Sequence, residues 1–189
     1  MRCVICGNEC WPWPVSYTHL DVYKRQSLAL ADRGQVELGL VYDPYAGELF
    51  SARRGGGAFV NGEPIHVSGA KRLADCLVDV GTNPSQREAA DRTFRWLRAV
   101  YDRCHDIRRV GAASVDLCYV AAGRLDAYVE NSLKPWDYAA GLLIVQEAGG
   151  AVVTVDGAAP SMKMGGDVMG TNGAVTEELL AVLRQAANG

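Results

Sequence analysis

Between residues 36 and 68 the apolar positions come in short runs that turn signals interrupt. The run VELGLVYDP predicts a strand over residues 36–42, and a shorter strand follows around Leu49. The three glycines at 55–57 and the pair Asn61-Gly62 supply turns, and Asn-Gly is typical of a tight hairpin. The sequence therefore predicts an antiparallel meander over residues 36–68.

Beyond residue 75 strand patterns alternate with helical ones. An apolar stripe predicts a helix over residues 85–104; it consists of Phe94, Leu97, Val100 or Tyr101, and Cys104. The segment PWDYAAGLLIVQEAGG predicts a buried helix over residues 137–148 that stops at Gly-Gly, and AVTEELLAVLRQAA predicts a closing helix. Strands before residue 75 and alternation after it indicate layered α/β or α+β packing.

Length and composition narrow the class of protein. A chain of 189 residues with net charge −3 corresponds to one domain. No apolar run is long enough to span a membrane, and the mild acidity argues against a nucleic-acid partner. Cys76, Cys104 and Cys118 lie among apolar residues, as buried free thiols do in a reducing compartment. We therefore expect a cytoplasmic protein with neither a membrane nor a nucleic-acid partner.

The first 26 residues do not share the globular pattern. Codons can be chosen for which the DNA encoding residues 14–26 is, after its first base, an inverted repeat. That DNA resembles two back-to-back copies of a transposon end used in preparing sequencing libraries. Because folding does not select for a DNA palindrome, we expect residues 1–26 to be a non-native head and junction. Residues 27–189 would then be the domain.

Three cysteines in the head form the spacing C-x2-C-x3-C, at Cys3, Cys6 and Cys10. This spacing resembles half of a zinc or cluster site. No second Cys/His pair follows at a suitable distance, so a metal-binding head module is the weaker interpretation, and bound zinc would be its test.

Two carboxylates stand out near the predicted buried helix. Asp137 lies at or near the N-terminus of that helix, and Glu130 ends the strand segment LDAYVE just before it. A plain N-cap would explain Asp137 by itself. Carboxylates that meet at a helix N-terminus also form a plausible place for a hard divalent cation and a phosphate.

A second helix start carries small residues. In RRVGAAS, Gly111, Ala112 and Ala113 would let a ligand approach backbone N–H groups closely, as phosphates do at helix N-termini. Close packing of the helix on a sheet explains the same residues equally well. Arg108 or Arg109 could border a phosphate at this position.

The segment PWDYAAGLLIVQEAGG resembles the second signature of the inositol monophosphatase family, W-D-x-A-A-G-x-x-[IL]-x-x-E-A-G-G. LVYDPYAGELFSARRGGGAFVNGEPIHVS is similar to the hairpin segment of that family, and RRVGAASVDLCYVAAGRLDAYVE to its substrate-lining segment. The resemblance covers Ser27 to about Gln185. It implies a layered αβαβα fold, magnesium-dependent hydrolysis of a small phosphorylated polyol or sugar, and a homodimer.

The resemblance also implies roles for individual residues. Asp137 would ligate Mg²⁺ and help to hold the attacking water, and Glu130 would bind substrate hydroxyls. Gly111, Ala112 and Ala113 would line the substrate site. The turn Gly81-Thr82 is a weaker candidate for the phosphate region.

One departure from the family pattern changes what we expect of the fold and activity of this chain. The first signature, D-P-[IL]-D-G-T, carries most metal ligands and is absent from residues 1–26; in DPYAG, Ala46 stands where its second Asp is needed. We therefore expect an incomplete fold that lacks its N-terminal part, and a chain that is inactive as written. The alternative is a non-catalytic fragment that binds a phosphorylated ligand or forms a dimer surface. Fructose 1,6-bisphosphate, adenosine 3',5'-bisphosphate and histidinol phosphate are alternative substrates.

Overall fold

The computed structural model describes residues 2–3 and 25–187. Cys6, Cys10 and residues 14–24 of the predicted junction lie outside these ranges, so the zinc and junction hypotheses stay predictions. Within the described ranges, no helix combines the length and the apolarity that a membrane span needs.

The first six strands form one antiparallel sheet in sequence order. From β2 onward each strand pairs with the next across a short connection, so that Leu40 lies opposite Leu28 on one side and Ser51 on the other. The meander predicted over residues 36–68 is confirmed, and a strand at Gln26–Asp32 extends it. The strands are β1 (Arg2–Cys3), β2 (Gln26–Asp32), β3 (Gln35–Asp43), β4 (Glu48–Arg53), β5 (Ala58–Val60) and β6 (Glu63–Pro64).

A second, mixed sheet contains five strands in the spatial order β10-β11-β9-β7-β8. Strand β7 runs parallel to both β8 and β9, whereas β11 runs antiparallel to β9 and β10. Helices make the connections that parallel strands require. The strands are β7 (Leu77–Val80), β8 (Asp106–Arg108), β9 (Ala127–Leu133), β10 (Ala151–Thr154) and β11 (Gly166–Thr171), and the helices are α1 (Ala90–Tyr101), α2 (Ala113–Ala121), α3 (Pro135–Glu147) and α4 (Thr176–Ala187).

Two hydrophobic cores define the layers. Helices α2 and α3 lie between the sheets, where Leu143 shares a core with Phe50 of one sheet and Tyr128 of the other. Helices α1 and α4 cover the opposite face of the five-stranded sheet, where Trp96 and Leu183 are buried. The predicted layered α/β fold is confirmed. Because α3 packs against both sheets, it is apolar on nearly every side.

The helix predicted over residues 85–104 is shorter than expected. A turn of 3₁₀ helix precedes α1, which spans Ala90–Tyr101. Of the predicted stripe, Val100 is buried and Leu97 and Cys104 are half-buried, whereas Phe94 and Tyr101 are exposed. Trp96 is buried instead of Phe94, because its large apolar area favours burial.

Candidate substrate site at the ends of β7, α2 and α3

The predicted site residues meet at one end of the five-stranded sheet. The turn Gly81-Thr82 follows β7, Gly111 precedes α2, and Glu130 lies in β9, the strand next to β7. Asp137 lies in the first turn of α3. The ends of parallel strands and the N-termini of the following helices share an edge in such sheets, which is where ligands usually bind.

Glu130 is the most constrained carboxylate of this site. One carboxylate oxygen accepts a hydrogen bond from the backbone N–H of Asn83 at 2.8 Å, and the other accepts one from the Tyr128 hydroxyl at 2.5 Å. Burial raises the pKa of Glu130, these two bonds lower it, and the negative charge of Asp137 adds to the rise. Asp137 and Glu130 are therefore close enough to interact.

Gly81 is required by the close approach of Glu130. A Cβ atom at this position would lie 2.3 Å from Glu130 Oε2, a distance that no side chain tolerates. Two residues later Asn83 has a left-handed φ of 31°, and its side-chain amide donates to the carbonyl oxygens of Asn131 and Ser132 at 3.0 and 3.3 Å. Backbone strain of this kind is characteristic of functional sites.

Arg109 connects the β7 turn with the start of α2. Its Nε donates to Thr82 Oγ1 at 3.1 Å. Gly111 adopts φ +99°, and an added Cβ there would lie 2.6 Å from the Arg109 guanidinium. The exposed guanidinium therefore lies along the glycine and beside the site.

The position of Asp137 corrects the interpretation of it as a plain N-cap. Helix α3 begins at Pro135, two residues earlier than predicted, and Asp137 is its third helical residue. Asp137 Oδ2 accepts a hydrogen bond from the Lys134 backbone N–H at 2.7 Å, which caps the helix in the manner of a capping box. Pro135 is buried, whereas Trp136 is 36% exposed.

Two further carboxylates lie beneath the start of α2 and were not predicted. Asp79 on β7 and Asp116 on α2 are 0% and 1% exposed. Asp79 Oδ2 accepts from the Val110 N–H at 3.0 Å, and Asp116 Oδ2 accepts from the Ala112 N–H at 3.0 Å. The signal was available in the sequence, because each is a charged residue within an apolar run, CLVDVG and ASVDLCYVA.

The surroundings of both carboxyl groups favour the protonated form. Burial raises the pKa of Asp79 to about 6. The hydrogen bond from Val110 opposes this rise, whereas the negative charge of Glu130 adds to it. Burial, followed by the negative charges of Asp79 and Glu130, raises the pKa of Asp116 well above its ordinary value. Arg25 lowers both pKa values, so this residue also lies near the pair.

These residues do not form a complete magnesium site. In residues 2–3 and 25–187 there is no group of three or more His, Cys, Asp or Glu side chains arranged to hold a metal ion. Mg²⁺ demands octahedral oxygen coordination, and Asp137 can supply only one or two of those oxygens. The unpaired oxygens of Asp79 and Asp116 are buried inside the fold.

Comparisons of this chain with known proteins agree on which family it resembles. The model of the inositol monophosphatase family matches residues 26–188. The Nus factor SuhB of Vibrio cholerae serotype O1 is 38% identical over 162 residues, which make up 86% of this chain and 60% of the relative. The inositol-1-monophosphatase of Mesorhizobium japonicum is 38% identical over 159 residues, with coverage of 84% and 59%.

Solved structures agree with these matches. The inositol monophosphatase from Anabaena (Nostoc) sp. PCC 7120 superimposes with a TM-score of 0.80 at 34% sequence identity. The match covers 84% of this chain and 63% of that one. The chain thus spans about 60% of the length of the curated relatives it matches, and the resemblance seen from Ser27 onward is confirmed.

Proposed function

This chain belongs to the inositol monophosphatase family, and from that premise we propose that it carries the substrate-holding part of a phosphatase. The proposed reaction is hydrolysis of a phosphate monoester of inositol or of a related polyol or sugar. One observation carries the proposal: Glu130, the Gly81-Thr82 turn and the start of α2 lie at one edge of the sheet, with Arg109 between them.

Each group has a chemical task in this proposal. The Glu130 carboxylate, held by Tyr128 and Asn83, is oriented to accept hydrogen bonds from hydroxyl groups of a polyol. The first N–H groups of α2, at Ala113 and Ser114, have no partner within the helix and carry the positive end of its dipole. A phosphate that lies against them would receive both hydrogen bonds and charge stabilisation.

Magnesium is part of the proposal for the whole protein. In such sites the metal activates a water molecule and neutralises charge on the phosphoryl oxygens. Asp137 would be the single ligand that this chain contributes. The described residues contain no group of three or more His, Cys, Asp or Glu side chains that could hold a metal ion. We therefore expect the chain by itself to bind a phosphate ester without hydrolysing it. A homodimer and a cytoplasmic location also belong to the proposal.

The first test is a phosphatase assay of the purified chain with inositol 1-phosphate and Mg²⁺. We expect no turnover above the blank. Efficient magnesium-dependent turnover would contradict the assignment of an incomplete site.

The second test restores a complete domain. The part of the Mesorhizobium japonicum relative that precedes its matched region is joined to residues 27–189 of this chain. The chimera should hydrolyse inositol 1-phosphate. Asp137→Asn should lower kcat by more than about 100-fold, because even supporting groups around a metal contribute 10–100-fold, and Glu130→Gln should raise KM.

The matched control in the chimera is Asp156→Asn, which changes an exposed carboxylate on the turn after β10. Its kinetics should equal those of the parent chimera. If Asp137→Asn behaves like this control, Asp137 does not belong to the site.

A further inference from the structure

Two buried acids take no part in the proposed binding of substrate. Asp79 lies on the face of the five-stranded sheet that packs on α2, since its neighbours Val78 and Val80 point into the opposite core. Asp116 lies one turn into α2. Buried carboxylates are rare unless they are paired, so their presence beneath this site requires an explanation.

Their hydrogen bonds place both acids under the same turn. The two donors, the N–H groups of Val110 and Ala112, flank Gly111 on either side. Each carboxylate therefore uses one oxygen, Oδ2, to hold one side of a three-residue turn. The other oxygen of each, Oδ1, is buried and has no hydrogen-bond partner in the described part of the chain.

The neighbouring charged groups do not satisfy these two oxygens. From β9, the Tyr128 hydroxyl is already bonded to Glu130, and Glu130 is itself an acid. Arg109 bonds to Thr82. Arg25 lies 3.7 Å from Asp43, and its Nε has no hydrogen-bond partner among the described residues, so it bonds to neither acid. The remaining titratable neighbour is the buried thiol of Cys118, whose pKa is raised by burial and by the charge of Asp116.

A proton resolves the problem that two ionised carboxylates would create. Two negative charges in a low-dielectric interior repel one another, and each would leave a lone oxygen without a donor. One proton between the Oδ1 atoms turns one acid into a donor and the other into its acceptor. The pair then carries one negative charge, and every oxygen has a partner.

We propose that Asp79 and Asp116 share one proton between their Oδ1 atoms, and that this acid pair fixes the Val110–Ala112 turn and with it the direction of the first N–H groups of α2. The two acids are positioning residues, and their link to phosphate rests on the proposed function. The single negative charge also opposes an incoming anion less than two charges would.

Asparagine substitutions test the shared proton directly. In Asp79→Asn the amide oxygen can accept from Val110 while the NH2 group donates to Asp116, so the turn should persist; Asp116→Asn works in the same way. The double variant places two NH2 donors against each other. We expect amide exchange at Ala112 not to accelerate in either single variant and to accelerate more than about tenfold in the double variant.

Carboxyl ¹³C shifts of the full chain, followed from pH 4 to 9, provide the second readout. We expect two coupled steps, with one proton kept by the pair at pH 7 and the Val110 and Ala112 amide signals moving with the second step. In Asp79→Asn the two coupled steps should be replaced by the single titration step of Asp116. Asp32→Asn, an exposed change on the other sheet, should leave both steps intact.

Two results would overturn the inference: full ionisation of both acids below pH 6, or additive effects of the two substitutions on amide exchange. Sulfate separates this inference from the proposed function, because it stays a dianion throughout the titration. If sulfate fails to shift the Ala113 and Ser114 amides while the acids titrate as a pair, the phosphate site is wrong and the acid pair stands.

Discussion

The two sheets of this protein differ in how their faces are covered. The five-stranded sheet packs on α2 and α3 with one face and on α1 and α4 with the other. The six-stranded sheet packs on α3 with its inner face, and no described helix covers its outer face. Leucines and a tyrosine line that outer face at 40–46% exposure: Leu28, Tyr42 and Leu49.

This difference explains where the polar chemistry lies. Asp79 and Glu130 belong to the doubly covered sheet, where burial shifts their pKa values and backbone N–H groups orient them. The six-stranded sheet supports α3 instead. Glu147 at the end of α3 accepts hydrogen bonds from the backbone N–H groups of Gly55 and Gly57 at 2.8 and 2.9 Å, which attaches the glycine turn to the helix. That turn is therefore structural.

The largest expected effect concerns the covered sheet. Leu183→Ala removes a side chain of 0% exposure from the core between α4 and the five-stranded sheet. Deleting these methyl groups leaves a cavity, so the free energy of unfolding should fall by about 2–5 kcal/mol. Urea denaturation followed by circular dichroism measures the change. A loss below about 1 kcal/mol would mean that this layer is not well packed.

A pH-dependent effect of similar size is expected at Asp79. Its pKa rises from an ordinary 3.8 to about 6 in the folded chain, so the folded state binds the proton more tightly than the unfolded state. Stability from this group is complete below pH 3.8 and falls as pH rises to about 6. Asp79→Asn should therefore stabilise the chain by about 3 kcal/mol at pH 7.

The gain should fall below about 1 kcal/mol at pH 4, because Asp79 is then protonated in the folded state and partly protonated in the unfolded state. Urea midpoints measured at pH 4 and pH 7 test this. The matched control is the exposed Asp32→Asn, which should change stability only slightly, and by the same amount at both pH values. Destabilisation by Asp79→Asn at pH 7 would show that the ionised carboxylate is needed.

The smallest effect should come from the uncovered face. Leu49→Ala makes the same chemical change as Leu183→Ala at a side chain that is 42% exposed. The free energy of unfolding should change by less than about 1 kcal/mol, because a large part of the removed surface was already in water. Self-association, measured by light scattering, should decrease as the apolar patch shrinks. A loss comparable with that of Leu183→Ala would show that another segment covers this face.

The structure agrees with the sequence most closely where a pattern depends on neighbouring residues. Short apolar runs separated by turn residues such as Asn61-Gly62 predicted the meander. The all-apolar segment AAGLLIV predicted a helix buried on every side. Errors occurred where packing chose between near-equal alternatives. Trp96 rather than Phe94 faces the core, and α3 begins at Pro135 so that Asp137 caps it from within.

The sequence by itself determined the family, most of the strands and helices, and the residues Asp137, Glu130 and Gly111 as candidates, because signature spacing and turn chemistry are local. Only the tertiary structure decided that Asp79 from β7 and Asp116 from α2 bond to the N–H groups on either side of Gly111. Thirty-six residues lie between them in the chain. Parallel pairing of β7 with its neighbours and the packing of α2 on that sheet bring them together, and neither can be read from the spacing of two aspartates.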